Sequence, residues 1–420
     1  MVGFQVNGRA PSNSRRIALV TSGFDLGGGV PTIARWLRDC LRRTPGYTVD
    51  VHDLATSSRD KQSRRLLAPR SWMRRSLSEQ YSEGGHVIKW GANAVELEVM
   101  RYWPRQELTQ ALQNYDLVQV VSGSPALALV AKGAGVPIVI WMASVVEWER
   151  QQQLAEQSGP FRLWRHAMTM LTTRVELDAL REANAVLVLN ASLLEYVSAA
   201  GYRRVATAIP GVDTAVFCPS DAGWRPDGHL LSICRLNDPR KGLERMIRAY
   251  AHIVDADNSS PGLVLAGWGE LPVELVHLMR QLNLESRVTV CANVDPGSLP
   301  GLYRGASVFM QTSYEEGLGV SVLEAMACGI PVVSTESAGT KETVIDGVTG
   351  LLVSQEVGRD VASSVADKVL NVLRGEGAAM GAYARERCVS KFSTEVAITR
   401  FTDTYDDLLA GRSSVPWVRT

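Results

Sequence analysis

The chain has no excess of either charge: 44 lysines and arginines face 44 aspartates and glutamates in 420 residues. That balance argues against a nucleic-acid partner and leaves only local patches open. No apolar run approaches the ~20 residues of a membrane span. Residues 1–14 read as a disordered leader, without an apolar core long enough for a signal peptide. The six cysteines, Cys40, Cys218, Cys234, Cys291, Cys328 and Cys388, form no CxxC pair and no zinc-ligand spacing. They read as reduced thiols of a cytoplasmic protein. There is no repeat of solenoid period and no low-complexity tract. No GxGxxG follows a strand, which disfavours a dinucleotide-binding oxidoreductase. Asp255-Ala256-Asp257 imitates a metal-binding DxD but follows a helix and reads as exposed, so no metal site is expected. A chain of this length exceeds what one core usually supports, and two domains are the expectation.

What is present centres on Tyr314 to Pro331, YEEGLGVSVLEAMACGIP. An apolar run, Ala306 to Met310, precedes it as a strand. From Val320 the pattern turns helical, with Val320, Leu323, Met326 and Ala327 on one stripe. Gly329 stops the helix and Pro331-Val332-Val333 opens the next strand. Gly317-Leu318-Gly319 is therefore backbone at a helix N-terminus, where unpaired N–H groups suit a phosphate or a set of sugar hydroxyls. Glu316 stands just before this turn. Glu324, two helical turns deeper, would lie ~10 Å away at about 1.5 Å per residue. Its neighbours in Leu323-Glu324-Ala325-Met326-Ala327 are apolar, which favours a cleft over a solvated face.

These residues resemble the E-x7-E signature of the retaining glycosyltransferases of family 4. The resemblance implies an α/β chain of the GT-B class, two Rossmann-like domains facing across a cleft. It also implies a nucleoside-diphosphate sugar as donor substrate, UDP favoured over GDP, and no other cofactor. Glu316, with the backbone of Gly317, Leu318 and Gly319, would hold the donor sugar, and Glu324 the ribose hydroxyls. The likeness is firm from about Val205 to Val353 and only general before that.

Along the chain, Arg16 to Thr21 reads as a strand, and Val30, Ile33, Ala34, Leu37 and Leu41 mark a helix. Between them Gly27-Gly28-Gly29 lets a phosphate approach the backbone; similar family loops cover the donor phosphates. The stretch 59–75 is basic, with Arg59, Lys61, Arg64, Arg65, Arg70, Arg74 and Arg75 against Asp60 alone. Three readings stand: a solvated loop, peripheral contact with anionic lipid at the inner face of the membrane, or a grip on an anionic acceptor. Asp116–Val121 and Pro137–Ile140 read as strands around a helix at Ala126–Ala131. Many family members carry a histidine after the strand matching Ile138-Val139-Ile140. Here Trp141-Met142-Ala143-Ser144 and then Glu147 follow, so Ser144 or Glu147 takes over on the acceptor side, or that side is rebuilt. No catalytic histidine is assigned.

Domain limits follow: an acceptor domain over 15–218, a Pro/Gly/Asp-rich linker at 219–228, a donor domain over 229–392, and a helix at 393–412 crossing back. After the strand His229–Cys234, Arg235 and Lys241 lie beyond a strand's carboxyl end, where open α/β sheets bind ligands. Two cations there suit a diphosphate, and the family uses such a pair to stabilise the leaving group. Arg240 is an alternative, and Asn293 would lie near the base. The expected reaction is hexose transfer to a hydroxyl acceptor (glycan, lipid-linked or small-molecule) with retention. The alternatives are a sugar-nucleotide epimerase or hydrolase of the same fold, and a non-catalytic glycosyltransferase-like subunit.

Overall fold

The computed structural model describes residues 14–26, 28–55, 60, 62–72, 77–82, 85–150, 160–375 and 377–412; of the expected leader 1–14, residues 1–13 lie outside them. The chain separates into two compact units, one running to Ala208 and taking in Ile398 onward, the other Ile209–Ala397.

The first unit is built on eight strands: β1 (Arg15–Ser22), β2 (Tyr47–Leu54), β3 (Leu77–Ser82), β4 (Gly85–Trp90), β5 (Leu117–Ser122), β6 (Ile138–Met142), β7 (Ala185–Val188) and β8 (Val205–Thr207). Their order is β3-β4-β2-β1-β5-β6-β7-β8, parallel throughout except for the antiparallel β3–β4 pair. Strands buried on both faces explain the unbroken apolar runs of the sequence. In β1, Ile17 and Leu19 pack with Ile33, Leu37 and Leu41 of helix Gly29–Arg43, while Ala18 and Val20 face the opposite layer. Period-two alternation thus feeds two cores from one strand.

The second unit carries β9 (His229–Arg235), β10 (Leu263–Trp268), β11 (Val288–Ala292), β12 (Ala306–Gln311), β13 (Val332–Thr335) and β14 (Gly350–Val353). Their order is β11-β10-β9-β12-β13-β14, all parallel. Again the strand residues alternate, Val308 and Met310 to one layer and Phe309 to the other.

Three expectations are corrected. The boundary falls at Ala208–Ile209, and 219–228 is part of the second unit: Trp224 Nε1 donates to Ser307 O at 2.7 Å and Ser307 Oγ to Gly228 O at 2.7 Å. The helix at Ala126–Ala131 takes the 3-10 form over Pro125–Ala131, capped by Ser124 and wholly buried. The returning helix, Thr394–Leu409, joins the first unit only from Ile398. There Phe401 stacks edge-on to Trp141 at 4.6 Å between ring centroids, and Tyr405 donates to Gln119 Oε1 at 2.8 Å. All six cysteines are free thiols, with Cys40, Cys328 and Cys388 buried. No described helix is long and apolar enough to cross a membrane.

Candidate functional site

The second unit gathers its chemistry at the carboxyl ends of β9 to β12. After β9 the chain turns through a 3-10 helix, Pro239–Lys241, whose N-cap Asp238 accepts from Arg240 N at 3.1 Å. The next residue, Gly242, has φ 61°, and a Cβ on it would overlap the carbonyl of Thr312. Only glycine permits that approach. Thr312 Oγ1 donates to Gly242 O at 2.9 Å and Tyr314 N to Arg240 O at 2.8 Å, so the loops after β9 and β12 are locked together.

That lock brings Lys241 to Glu316. Nζ lies 2.6 Å from Oε2, and the two side chains are only 17% and 18% exposed. Gln311, at the end of β12, donates from Nε2 to the same carboxylate oxygen at 3.1 Å. Its own Oε1 is buried and has no hydrogen-bond partner. Arg235 is held through Nη2 by Asp238 Oδ2 at 2.8 Å, and Arg240 binds the same carboxylate. Burial pushes the Asp238 carboxyl up, but the bonds and charges of Arg240 and Arg235 outweigh it and hold it below its ordinary value. Asp238 is a positioning residue, and its i+3 spacing from Arg235 was the available signal in the sequence.

The glycine turn follows. Gly319, at φ 77°, caps helix Val320–Ala327. The backbone of helix Ala338–Thr343 rests directly on this turn: a Cβ on Gly339 would overlap the Leu318 backbone, and Gly339 N donates to Glu316 O at 2.9 Å. Leu318 sends its side chain into the core at 5% exposure. Any part it takes in a site is therefore limited to backbone, whereas Gly317 is exposed.

Glu324 is half-buried on that helix, and its Oε2 accepts from Tyr303 OH at 2.7 Å. Burial pushes its carboxyl up to about 7, with the Tyr303 bond working in the opposite direction. Tyr303 is fully buried and comes from the preceding helix, Leu299–Arg304, a tertiary contact with no local signal. Asn293 sits just beyond β11 in the left-handed region, φ 53°. Its Oδ1 accepts from Gly269 N at 2.9 Å and its Nδ2 donates to Glu270 at 3.3 Å, which ties it to the loop after β10.

The first unit places its candidates less tightly. Gly27 lies outside the described residues. Gly28 caps helix Gly29–Arg43 at φ 141°, and the space where a Cβ of Gly29 would stand is open. The loop is braced by Asp53, whose Oδ1 accepts from Phe24 N at 3.1 Å, and by Arg35, which donates to Phe24 O and Leu26 O. Burial raises the Asp53 pKa, and the backbone N–H of Phe24 pulls against it. Ser144 N donates to Gly123 O at 2.7 Å, and its hydroxyl to Val145 O at 3.3 Å. Glu147 is exposed and is not brought onto Ser144. The buried acid here is Glu176, 2% exposed, which accepts from Ser124 Oγ at 2.7 Å and Val146 N at 2.9 Å. It thereby staples the loops after β5 and β6. Of the basic stretch, Arg59, Lys61, Arg74 and Arg75 lie outside the described residues. Asp257 Oδ1 accepts from Ser259 N and Oγ in a turn. Among the described residues no group of three or more His, Cys, Asp and Glu is arranged to hold a metal.

Residues 227–387 match the family described as Glycosyl transferases group 1, a span that contains Arg235, Lys241, Asn293, Glu316 and Glu324. The D-inositol 3-phosphate glycosyltransferase of Actinosynnema mirum is 36% identical over 174 residues, 37% of this chain and 41% of the relative. The enzyme of that name from Mycolicibacterium vanbaalenii is 31% identical over 224 residues, 50% of this chain and 47% of the relative. The chain thus spans less than half the length of these curated relatives. Among solved structures, sucrose-phosphate synthase from Thermosynechococcus elongatus superposes with TM-score 0.68 at 21% identity, over 94% of this chain and 100% of that one. HepE of Anabaena, in complex with UDP and glucose, gives 0.66 at 17% identity over 94% and 100%. At such identities the likeness is one of fold: α/β, with two Rossmann-like units of the GT-B class.

Proposed function

We propose that the protein is a retaining glycosyltransferase that moves a hexose from a nucleoside diphosphate, UDP ahead of GDP, to a hydroxyl acceptor without a metal ion. The observation that carries this reading is the contact of Lys241 Nζ with Glu316 Oε2 at 2.6 Å beside a glycine turn that opens a helix. A cation, a sugar-binding carboxylate and the N–H groups of a helix terminus are what a sugar diphosphate needs at its reacting end.

Cleavage of the anomeric carbon–oxygen bond leaves negative charge on the diphosphate. An ammonium has three donors and a guanidinium five, so Lys241 and Arg235 keep donors beyond those given to Glu316 and Asp238. They stabilise the leaving group, with Arg240 held in reserve on Asp238. Glu316 and the backbone of Gly317, Leu318 and Gly319 take the sugar hydroxyls, Glu324 the ribose, and Asn293 shapes the wall on the base side. For Gly27, Gly28 and Gly29 we keep the phosphate-binding role, and for Ser144 and Glu147 the acceptor-side role, that the family resemblance implies. We place the protein in the cytoplasm, with 59–75 touching an anionic membrane.

The test is an incubation with UDP-, GDP- and ADP-sugars, followed by nucleotide release with and without acceptors, D-inositol 3-phosphate and cell extract among them. Release that requires an acceptor supports transfer. Release without one points to a hydrolase, a changed sugar with no release to an epimerase, and no turnover with any donor to a non-catalytic subunit.

A further inference from the structure

Strand β12 carries one side chain that its own pattern does not call for. Val308 and Met310 face one core and Phe309 the other, so Gln311 falls on the Phe309 side, where Val322 and Leu323 of the next helix pack. An apolar residue would satisfy that position. Gln311 is 6% exposed, and its Oε1 is buried without a hydrogen-bond partner. A Cβ on Gly319 would stand 3.6 Å from that oxygen, so the amide lies against the glycine turn. An unmet buried carbonyl costs folding free energy, and a methionine of similar length would not carry that cost. Stability therefore does not account for an amide here.

What the amide does is donate. Its Nε2 reaches Glu316 Oε2 at 3.1 Å and Ser313 Oγ at 3.4 Å. Lys241 Nζ meets the same Glu316 oxygen at 2.6 Å. An ammonium is a compact point charge on a flexible stem, so it holds a carboxylate close without fixing its rotation. The terminal torsion of a glutamate is broad and sets no preference of its own. An amide N–H on a buried, strand-borne side chain is directional. The wall behind it is tied as well: Ser313 O accepts from Thr335 Oγ1 at 2.7 Å, and Thr335 O from Thr340 Oγ1 at 3.0 Å. Lys241 and Gln311 both bind Oε2, so Glu316 Oε1 keeps its acceptor capacity for a ligand hydroxyl.

We propose that Gln311 is a positioning residue for donor binding: it sets the rotation of the Glu316 carboxylate, so that Oε2 holds Lys241 and Oε1 is presented to a hydroxyl of the donor sugar. The inference rests on the donor site proposed above and adds the group that orients its acid. Gln311 itself touches neither sugar nor diphosphate.

The test compares the full chain with Gln311→Met, which keeps the length of the side chain and removes the amide. Calorimetry measures UDP, GDP, UDP-glucose, UDP-N-acetylglucosamine and GDP-mannose, and thermal unfolding is followed without ligand. The deciding quantity is the affinity for a nucleotide sugar divided by that for its nucleotide, because contacts to the nucleotide cancel. For the sugar that the wild type holds best, this ratio should fall roughly tenfold in Gln311→Met, as for one oriented hydrogen bond to a charged group. Nucleotide affinity should stay the same, and Tm should equal or exceed that of the wild type. A ratio that the substitution leaves unchanged overturns the proposal while the donor site stands. A Tm several degrees lower, with nucleotide and nucleotide sugar weakened alike, makes Gln311 a packing residue and overturns it too. If the wild type binds none of the five probes, the donor site itself falls and the proposal falls with it.

Discussion

A single ion pair, Lys241 with Glu316, joins a basic and an acidic motif that sit 75 residues apart in sequence. If Lys241 acts as proposed, removing its ammonium would remove charge stabilisation on the departing diphosphate and leave Glu316 with Gln311 as its remaining partner. Lys241→Ala should therefore lower kcat by roughly 10²-fold or more, with a smaller change in KM; steady-state kinetics reading unchanged turnover would take the role away from it. Glu324 yields a pH signature. Its carboxyl titrates near 7 in the folded protein, against an ordinary value of 4.5. The folded state thus holds a proton that the unfolded state has released between those values, and this stability contribution is full at low pH and lost as pH rises through about 7. In the proposed role a ribose hydroxyl would donate to the ionised form, so UDP affinity should climb by up to roughly tenfold from pH 6 to pH 8 as the carboxyl ionises. Glu324→Gln should flatten that rise in a calorimetric titration. A slope that survives the substitution would assign it to another group.

Elements, more than residues, decide where these side chains stand. Helix Ala338–Thr343 touches no ligand group by its side chains in the proposed scheme, yet its Gly339 fixes the height of Gly317 and Leu318 by direct backbone contact. Its φ is not positive, so alanine is conformationally acceptable there, and the penalty comes from overlap with the backbone of Gly317 and Leu318. Gly339→Ala should cost about 1–3 kcal/mol by overpacking and weaken UDP binding together with it; a thermal melt with titrated UDP reads both. Full affinity in a destabilised variant would separate the turn from the donor site. This contact was invisible in the linear pattern, as was the hydrogen bond from Tyr303 to Glu324, because each joins consecutive βα units through packing. By contrast the strand, turn and helix around Glu316 were legible, since glycine punctuation and a change from alternating to helical spacing are local. Strand β2 was missed for an opposite reason. It carries His52 fully buried and Asp50 half-buried, where Trp90 donates to His52 Nδ1 at 3.0 Å and Tyr115 to Asp50 at 3.0 Å. Its alternation of Val49 and Val51 with Asp50 and His52 spans only four residues, and the burial of both faces at His52 and Asp53 depends on tertiary partners that no local pattern marks.

At the scale of the whole chain, the two units have separate cores, and an unexpected part of the second is Ile209–Cys218, read as the end of the first domain. Val212 N donates to Phe392 O at 2.8 Å and Thr394 N to Val212 O at 3.0 Å, a pairing of distant segments that composition alone does not mark. The final helix was legible as an amphipathic stripe, and its value to the first unit is large. Phe401 is fully buried between Trp36 and Trp141, and Tyr405 satisfies the buried Gln119 of β5. Separate cores make separate demands on stability. Phe401→Ala should cost about 3–5 kcal/mol, all of it within the first unit, while UDP bound at Lys241, Glu316 and Glu324 should stabilise the second. Differential scanning calorimetry can tell the two apart: the substitution should lower one transition by several degrees, and saturating UDP should raise the other. If both perturbations move a single transition, the units unfold as one cooperative body. The donor-bound and helix-braced halves would then share their stability, and mutations in either would be felt in both.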